Sequence, residues 1–381
     1  MAYGNVFAGL MLLWPLLAVL GTQGFAPLAG LTGIAALVLA RPRMPPPAYA
    51  LLGLVFIAWV VISEFWSPAG KALSTGNLLQ GDFAIGTQSV IILLAALFAM
   101  LTIAAALKSE LSAMGRKLLI GAFAVQGGFV LLSALIGDAV IKMIYGPEPQ
   151  HFINGIQNMG RNVNSFAIVL PILVGILGAK GGRSGLIAAA VLTMMALFAG
   201  LATDNSSTVF AVAGMLGGFV MVTFLPQSGL RWLFCGLAAY IAAAPFLMRN
   251  FIQSMTGFDH ILPDSFRSRF WSWEVVLGRI GEAPFFGHGI GATRTWQETY
   301  TEYPAWMAQL PENWSRFQVV PNHPHNMALH IWAETGLVGA LLAAFALTVL
   351  AFRLPRPAEF KPEMRFAIAG MAGAAVSIFS F

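Results

Sequence analysis

Apolar residues run in blocks of about 20 along this chain, long enough to cross a bilayer as helices, and short polar connections separate them. The blocks fall near residues 5–21, 24–40, 48–66, 84–107, 117–136, 164–179, 185–202, 207–225, 230–248, 326–352 and 365–381. The pattern predicts about eleven membrane helices. The last block ends at Phe381 without a polar flank, so a twelfth span is expected beyond it. One stretch breaks the rhythm: residues 249–325 are too polar to span and too long to serve only as a connector. Within it, Pro263, Asp264 and Ser265 give a helix start, and Phe266, Phe270, Trp273, Leu277 and Ile280 recur at spacings of four and three. That spacing predicts an amphipathic helix lying on the membrane surface. Arg269 falls at the edge of its apolar face, one turn before Trp273, either as a site cation or as a snorkelling headgroup contact.

Composition agrees with the pattern. The chain is 58% hydrophobic and 10% charged, which excludes an ordinary water-soluble domain and leaves an all-α, polytopic membrane protein. Its single cysteine, Cys235, sits in an apolar run, so neither a disulfide framework nor a cysteine metal site is available. The first block lacks a basic leader and a second follows at once, so a cleavable signal peptide is not expected. The net charge of +5 is not laid out as a nucleic-acid surface; it resides in connections. Arg41, Arg43, Lys108, Arg116, Lys117, Lys180, Arg183, Arg231, Arg353, Arg356, Lys361 and Arg365 fall on one side of the predicted topology, against Lys71, Lys142 and Arg161 on the other. The bias puts the N-terminus in the cytoplasm and residues 249–325 outside. Three regions follow: 1–248 with nine helices, 249–325 as the outer loop, and 326–381 with helices ten and eleven.

Candidate chemistry gathers at that outer face. In His323-Pro324-His325-Asn326, a proline at the first helical position would make His323 the cap and place His325 and Asn326 in the first turn. A helix start attracts an anion and disfavours an imidazolium, which keeps a histidine available as a base. Further along, Asn326, His330 and Glu334 are spaced by four on one face. A carboxylate at that depth needs a partner, so His330 and Glu334 read as a helix-locking pair or as part of a site. Gly336 and Gly339 fit close helix packing. The run Gly287-His288-Gly289-Ile290-Gly291-Ala292 is an exposed turn or a phosphate cradle. Residues 203–207 make a polar turn, and Gly160-Arg161-Asn162-Val163-Asn164 precedes the sixth block, with Arg161 a lone outer cation that is a site group or a headgroup anchor.

Arg269 with Trp273, then Pro284, Gly287 and Gly289, then His325, Asn326, Glu334, Gly336 and Gly339 resemble, in order and spacing, the signature of the O-antigen ligase and O-antigen polymerase family. The resemblance covers roughly residues 150–350. It implies a GT-C-like bacterial inner-membrane glycosyltransferase of about 11–12 helices, whose large periplasmic loop carries the site arginine and histidine. It further implies transfer of a glycan from undecaprenyl diphosphate to a hydroxyl, of lipid A-core oligosaccharide for a ligase or of the growing glycan for a polymerase, with no metal, nucleotide sugar or other cofactor. Many members carry a Ser-Arg pair after the seventh span where this chain has Ser206 and Ser207. Arg161, Arg267 or Arg294 must then supply the second cation. In this reading His325 takes the acceptor's proton, Arg269 stabilises the diphosphate, and Trp273, His323, Asn326, His330 and Glu334 support them. Three other readings compete: a transporter with a midplane site, a zinc enzyme using His323, His325 and His330 or His288, and a non-enzymatic export scaffold.

Overall fold

The computed structural model describes residues 2–21, 24–40, 48–69, 87–106, 108–146, 149–301, 314–315, 317–320 and 323–380. Every predicted apolar block is helical over its described residues: α1 (Ala2–Leu10) and α2 (Trp14–Val19), α3 (Phe25–Ala35), α4 (Ala48–Ile62), α5 (Thr87–Ala106), α6 (Ala113–Tyr145), α7 (Pro149–Lys180), α8 (Gly182–Ala202), α9 (Ser206–Phe224), α10 (Gly229–Met255), α12 (Met327–Arg353) and α13 (Pro362–Ser380). α11 (Asp264–Glu282) lies in the long polar stretch. Eight of these segments are long and apolar enough to cross a membrane, and two shorter ones are equally apolar in character. The protein is an all-α, multi-pass membrane protein.

Two helices outrun their apolar blocks. α6 continues past a kink at Ile136 to Tyr145, and α7 begins at Pro149, so Gly160 to Asn164 lie inside a helix and not in a connection before it. Polar residues there do not break the helix because protein receives them. Gln126 of α6 is fully buried, accepts from Trp14 Nε1 at 2.8 Å, and donates to Ser165 Oγ at 2.9 Å and Asn162 Oδ1 at 3.2 Å.

Two buried clusters organise the packing, one around α10, α11 and α12, the other around α6 to α9 with α13. Surface placement of α11 is corrected by the first. Its apolar face, with Phe270, Trp273, Val276 and Ile280 all buried, covers α10 and α12 instead of lipid. Orphaned backbone groups in this cluster find side-chain partners. Pro245 removes the N–H that would bond to Ile241 O, and Trp332 Nε1 donates to that carbonyl at 2.8 Å.

α12 is broken at Gly336, where φ is +65° and ψ −167°, a conformation suited to glycine. Gly336 follows the helix start by nine residues, about 14 Å along the axis. Backbone of the glycine-rich segment replaces the lost ladder. His288 N donates to Ala333 O and Gly289 N to Glu334 O, each at 2.8 Å, while Leu337 N and Val338 N donate to Pro284 O and Phe285 O at 2.9 and 3.2 Å. Trp59 Nε1 takes Thr335 O at 3.1 Å. The two backbones approach so closely that a Cβ on Gly287 would lie 2.5 Å from Glu334 C, and one on Gly336 2.3 Å from Phe285 O. These glycines serve a re-entrant backbone junction. The amides of His288, Gly289, Ile290 and Gly291 are all spent on protein acceptors, which removes the phosphate-cradle reading.

Gly336→Ala combines a strained backbone with a clash, and is expected to destabilise the protein by at least about 2 kcal/mol. Gly236 in α10 has open space around its missing Cβ, and Gly236→Ala is expected to be neutral or to stabilise by about 0.5–1 kcal/mol. Unfolding of both variants in detergent checks this; equal midpoints would contradict the assignment of the break.

Candidate functional site

The seam between the two clusters opens into a cavity of ≈ 390 Å³. Its walls include Asn164 of α7, Ser207 of α9, the segment His323 to Met327, and His330 of α12. The volume lies in the range of small-ligand sites. The segment before α12 does not form the expected first turn. Helix begins at Met327, and Asn326, not His323, is the cap: its Oδ1 accepts from Leu329 N at 3.0 Å. Asn326 Nδ2 is held by Tyr240 Oη at 2.7 Å and by Ser380 O at 3.2 Å, so the start of α12 is pinned to α10 and α13. With Asn326 as cap, Pro324 lies outside the helix. Its carbonyl accepts from Trp273 Nε1 at 2.8 Å, which docks α11 against the loop.

His325 has a positive φ of +52°, a sparsely populated conformation for a histidine. Its amide donates to His323 Nδ1 at 3.3 Å, and the two rings meet edge to face with centroids 4.6 Å apart. Both side chains are reachable from the cavity mouth. Protein atoms nevertheless crowd the His325 ring, and burial first, with the charges of His323 and Arg269 added, pushes its pKa down to about 4. His323 is shifted down by burial and then by the charges of His330, Arg294 and Arg161. These influences place Arg161, Arg269 and Arg294 near the imidazole pair.

The arginines differ in how far they are committed. Arg269, one turn before the docked Trp273, is half-buried with its Nη1 fully enclosed and without a hydrogen-bond partner. Its Cζ lies 5.6 Å from the Phe266 ring centroid, and burial lowers its pKa. An enclosed guanidinium donor with no acceptor is suited to an incoming anion. Arg294 is exposed at the end of the short helical turn Ala292–Thr295 and has no ion-pair partner among the described residues. Arg161 is exposed in α7 and donates to Asn158 Oδ1 at 3.2 Å. Arg267 pairs with Asp264 and is absent from the cavity wall. It is the least available of the candidate cations.

His330 and Glu334 form the expected pair, with Nε2 3.0 Å from Oε1. The same oxygen accepts from Gly291 N at 2.8 Å and Thr293 Oγ1 at 3.2 Å, so Glu334 also latches the glycine-rich segment. Gly339 packs near Trp59. Asn205 Nδ2 donates to Gly160 O and Thr208 Oγ1 to Asn164 Oδ1, each at 2.8 Å, so the 203–207 turn anchors the part of α7 that carries Arg161 and Asn164. His288 is used structurally, with Nε2 2.7 Å from Arg279 O. No group of three His, Cys, Asp or Glu positioned to hold a metal ion occurs among the described residues. Tyr240 was not legible as a site residue, and Asn164 and Ser207 only as members of polar outer segments, because their relation to the loop arises only from helix packing.

Asn326→Ala removes the cap of α12 and the amide contacts to Tyr240 and Ser380, an expected loss of about 1–3 kcal/mol. Thermal unfolding in detergent measures it, and an unchanged midpoint would contradict the capping assignment.

Residues 167–344, which include Ser207, α11, the glycine-rich segment and the run from His323 to Gly339, match the family model described as O-antigen ligase. No curated protein and no solved structure matches the chain. The order of motif residues, the helical membrane architecture and this match agree in supporting an O-antigen ligase family assignment for residues 167–344.

Proposed function

We propose that this protein is an inverting glycosyltransferase that moves a glycan from undecaprenyl diphosphate to a sugar hydroxyl, with lipid A-core oligosaccharide as acceptor, at the periplasmic face of a bacterial inner membrane. One observation carries the reading: the enclosed, unpartnered Nη1 of Arg269 belongs to the helix that docks against the loop of His325. A lipid diphosphate leaves readily once its charge is met, so fixed cations near the departing oxygens do most of what the reaction requires. Arg269 supplies the enclosed cation, and Arg294 and Arg161 the exposed ones. The acceptor hydroxyl gains from a positioned base. His325, neutral at physiological pH, takes that proton as the hydroxyl oxygen bonds to the anomeric carbon and the bond from that carbon to the diphosphate breaks.

Support comes also from where the charge lies. Arg161, Arg269 and Arg294 are absent from the cavity wall, which carries amide, hydroxyl and imidazole groups. We assign the phosphate to these arginines and the sugar to the cavity. Such an interior matches a glycan better than an ion path through the bilayer midplane, as a transporter requires.

His325→Ala is expected to lower glycan transfer by about 10²–10⁴-fold in reconstituted membranes, and wild-type turnover in a folded variant would remove His325 from this role. The pH profile gives an independent check. A histidine with a lowered pKa stays neutral as pH falls below the ordinary 6.5 and protonates only near 4. The acid limb of kcat/KM, which reports the free enzyme, is therefore expected well below pH 6. A limb centred near 6.5 would assign the base to another group.

A further inference from the structure

We propose that His330 receives a hydroxyl of the acceptor sugar through Nδ1, with Glu334 as the positioning residue that fixes its tautomer; this rests on the transferase reading above. His330 lies on the cavity wall one turn below Asn326. A carboxylate only accepts hydrogen bonds, so the 3.0 Å contact with Glu334 Oε1 assigns the proton to Nε2. We take the ring as neutral at the working pH, the state in which the other nitrogen is an acceptor. Nδ1 has no hydrogen-bond partner among the described residues; the polar contacts of the ring, to Glu334 and to Thr293 Oγ1 at 3.5 Å, both involve Nε2. An acceptor nitrogen without a partner on a wall shared with Asn164 and Ser207 suits a hydroxyl donor and offers nothing to a phosphate.

Glu334 ties this contact to the rest of the site. Its Oε1 also holds Gly291 N and Thr293 Oγ1, so one carboxylate sets both the His330 tautomer and the position of the turn that carries Arg294. A purely structural pair would hold α12 to that turn without affecting the acceptor. The distinction is measurable. An asparagine oxygen can take the place of Nδ1, whereas a glutamine tip takes the place of Nε2.

The test uses the full chain in proteoliposomes with a lipid-diphosphate-linked glycan as donor and lipid A-core oligosaccharide as acceptor. His330→Ala and His330→Gln are expected to raise the acceptor KM by about tenfold with the donor KM unchanged, while His330→Asn stays within about threefold of wild type. An unchanged acceptor KM in the alanine variant, or equal effects of Asn and Gln, would overturn the proposal. Histidine ¹⁵N NMR of the folded wild type at the assay pH reads the ring without any variant: a protonated Nδ1, whether Nε2 is bare or protonated too, would overturn it as well. Absence of transfer by the wild-type protein would defeat the transferase reading and this inference together, whereas wild-type transfer with a flat acceptor KM defeats this inference alone.

Discussion

A membrane helix that is interrupted must have its freed backbone groups satisfied by protein, because lipid offers neither donors nor acceptors. α12 is interrupted at Gly336, and the segment from Pro284 to Gly289 closes the gap with four backbone hydrogen bonds. Each such group left bare would cost on the order of several kcal/mol. The insertion fixes more than the helix. It holds the end of α11 against α12, brings Gly291 and Thr293 to Glu334, and fixes the turn that ends in Arg294. Trp59 and Trp66 bond to Thr335 O and Gly287 O, so the helical unit that includes α4 braces the junction from its far side.

Above the junction the same helix is capped by Asn326, whose amide engages α10 and α13. The loop before the cap is then pinned at Pro324 by Trp273. Little conformational freedom remains for His325 between these two anchors, and it adopts a left-handed backbone there. Crowding keeps the ring neutral, and the charges of His323 and Arg269 act in the same direction. A group held neutral beside cations can accept a proton without first losing one, while the cations stay available for an anion.

Much of this fold could be read in advance. Runs of lipid-compatible residues located the membrane helices, and the spacing of Phe270, Trp273, Leu277 and Ile280 located α11. The pairing of His330 with Glu334 followed from helical spacing and from the cost of a lone carboxylate in a membrane. Other features depended on tertiary context. Whether the apolar face of α11 meets lipid or protein is not encoded in its periodicity, since both partners are apolar. The cap moved from His323 to Asn326 because the amide of Asn326 has buried partners on two other helices, which outweigh the preference of proline for a first turn. Gly336 looked like a packing glycine; its role as a break required a second segment, distant in sequence, with matching glycines. Arg267 could not be separated from Arg269 by composition, yet Asp264 lies three residues before the former and engages it.

In the proposed reaction the enclosed guanidinium of Arg269 receives the diphosphate of a lipid-linked donor. Affinity of the detergent-purified protein and of Arg269→Gln for undecaprenyl diphosphate, measured against undecaprenol, addresses it directly. Wild type is expected to prefer the diphosphate, and the substitution to weaken its binding about tenfold or more while leaving binding of the alcohol unchanged. Equal affinity of the two proteins for the diphosphate would contradict it.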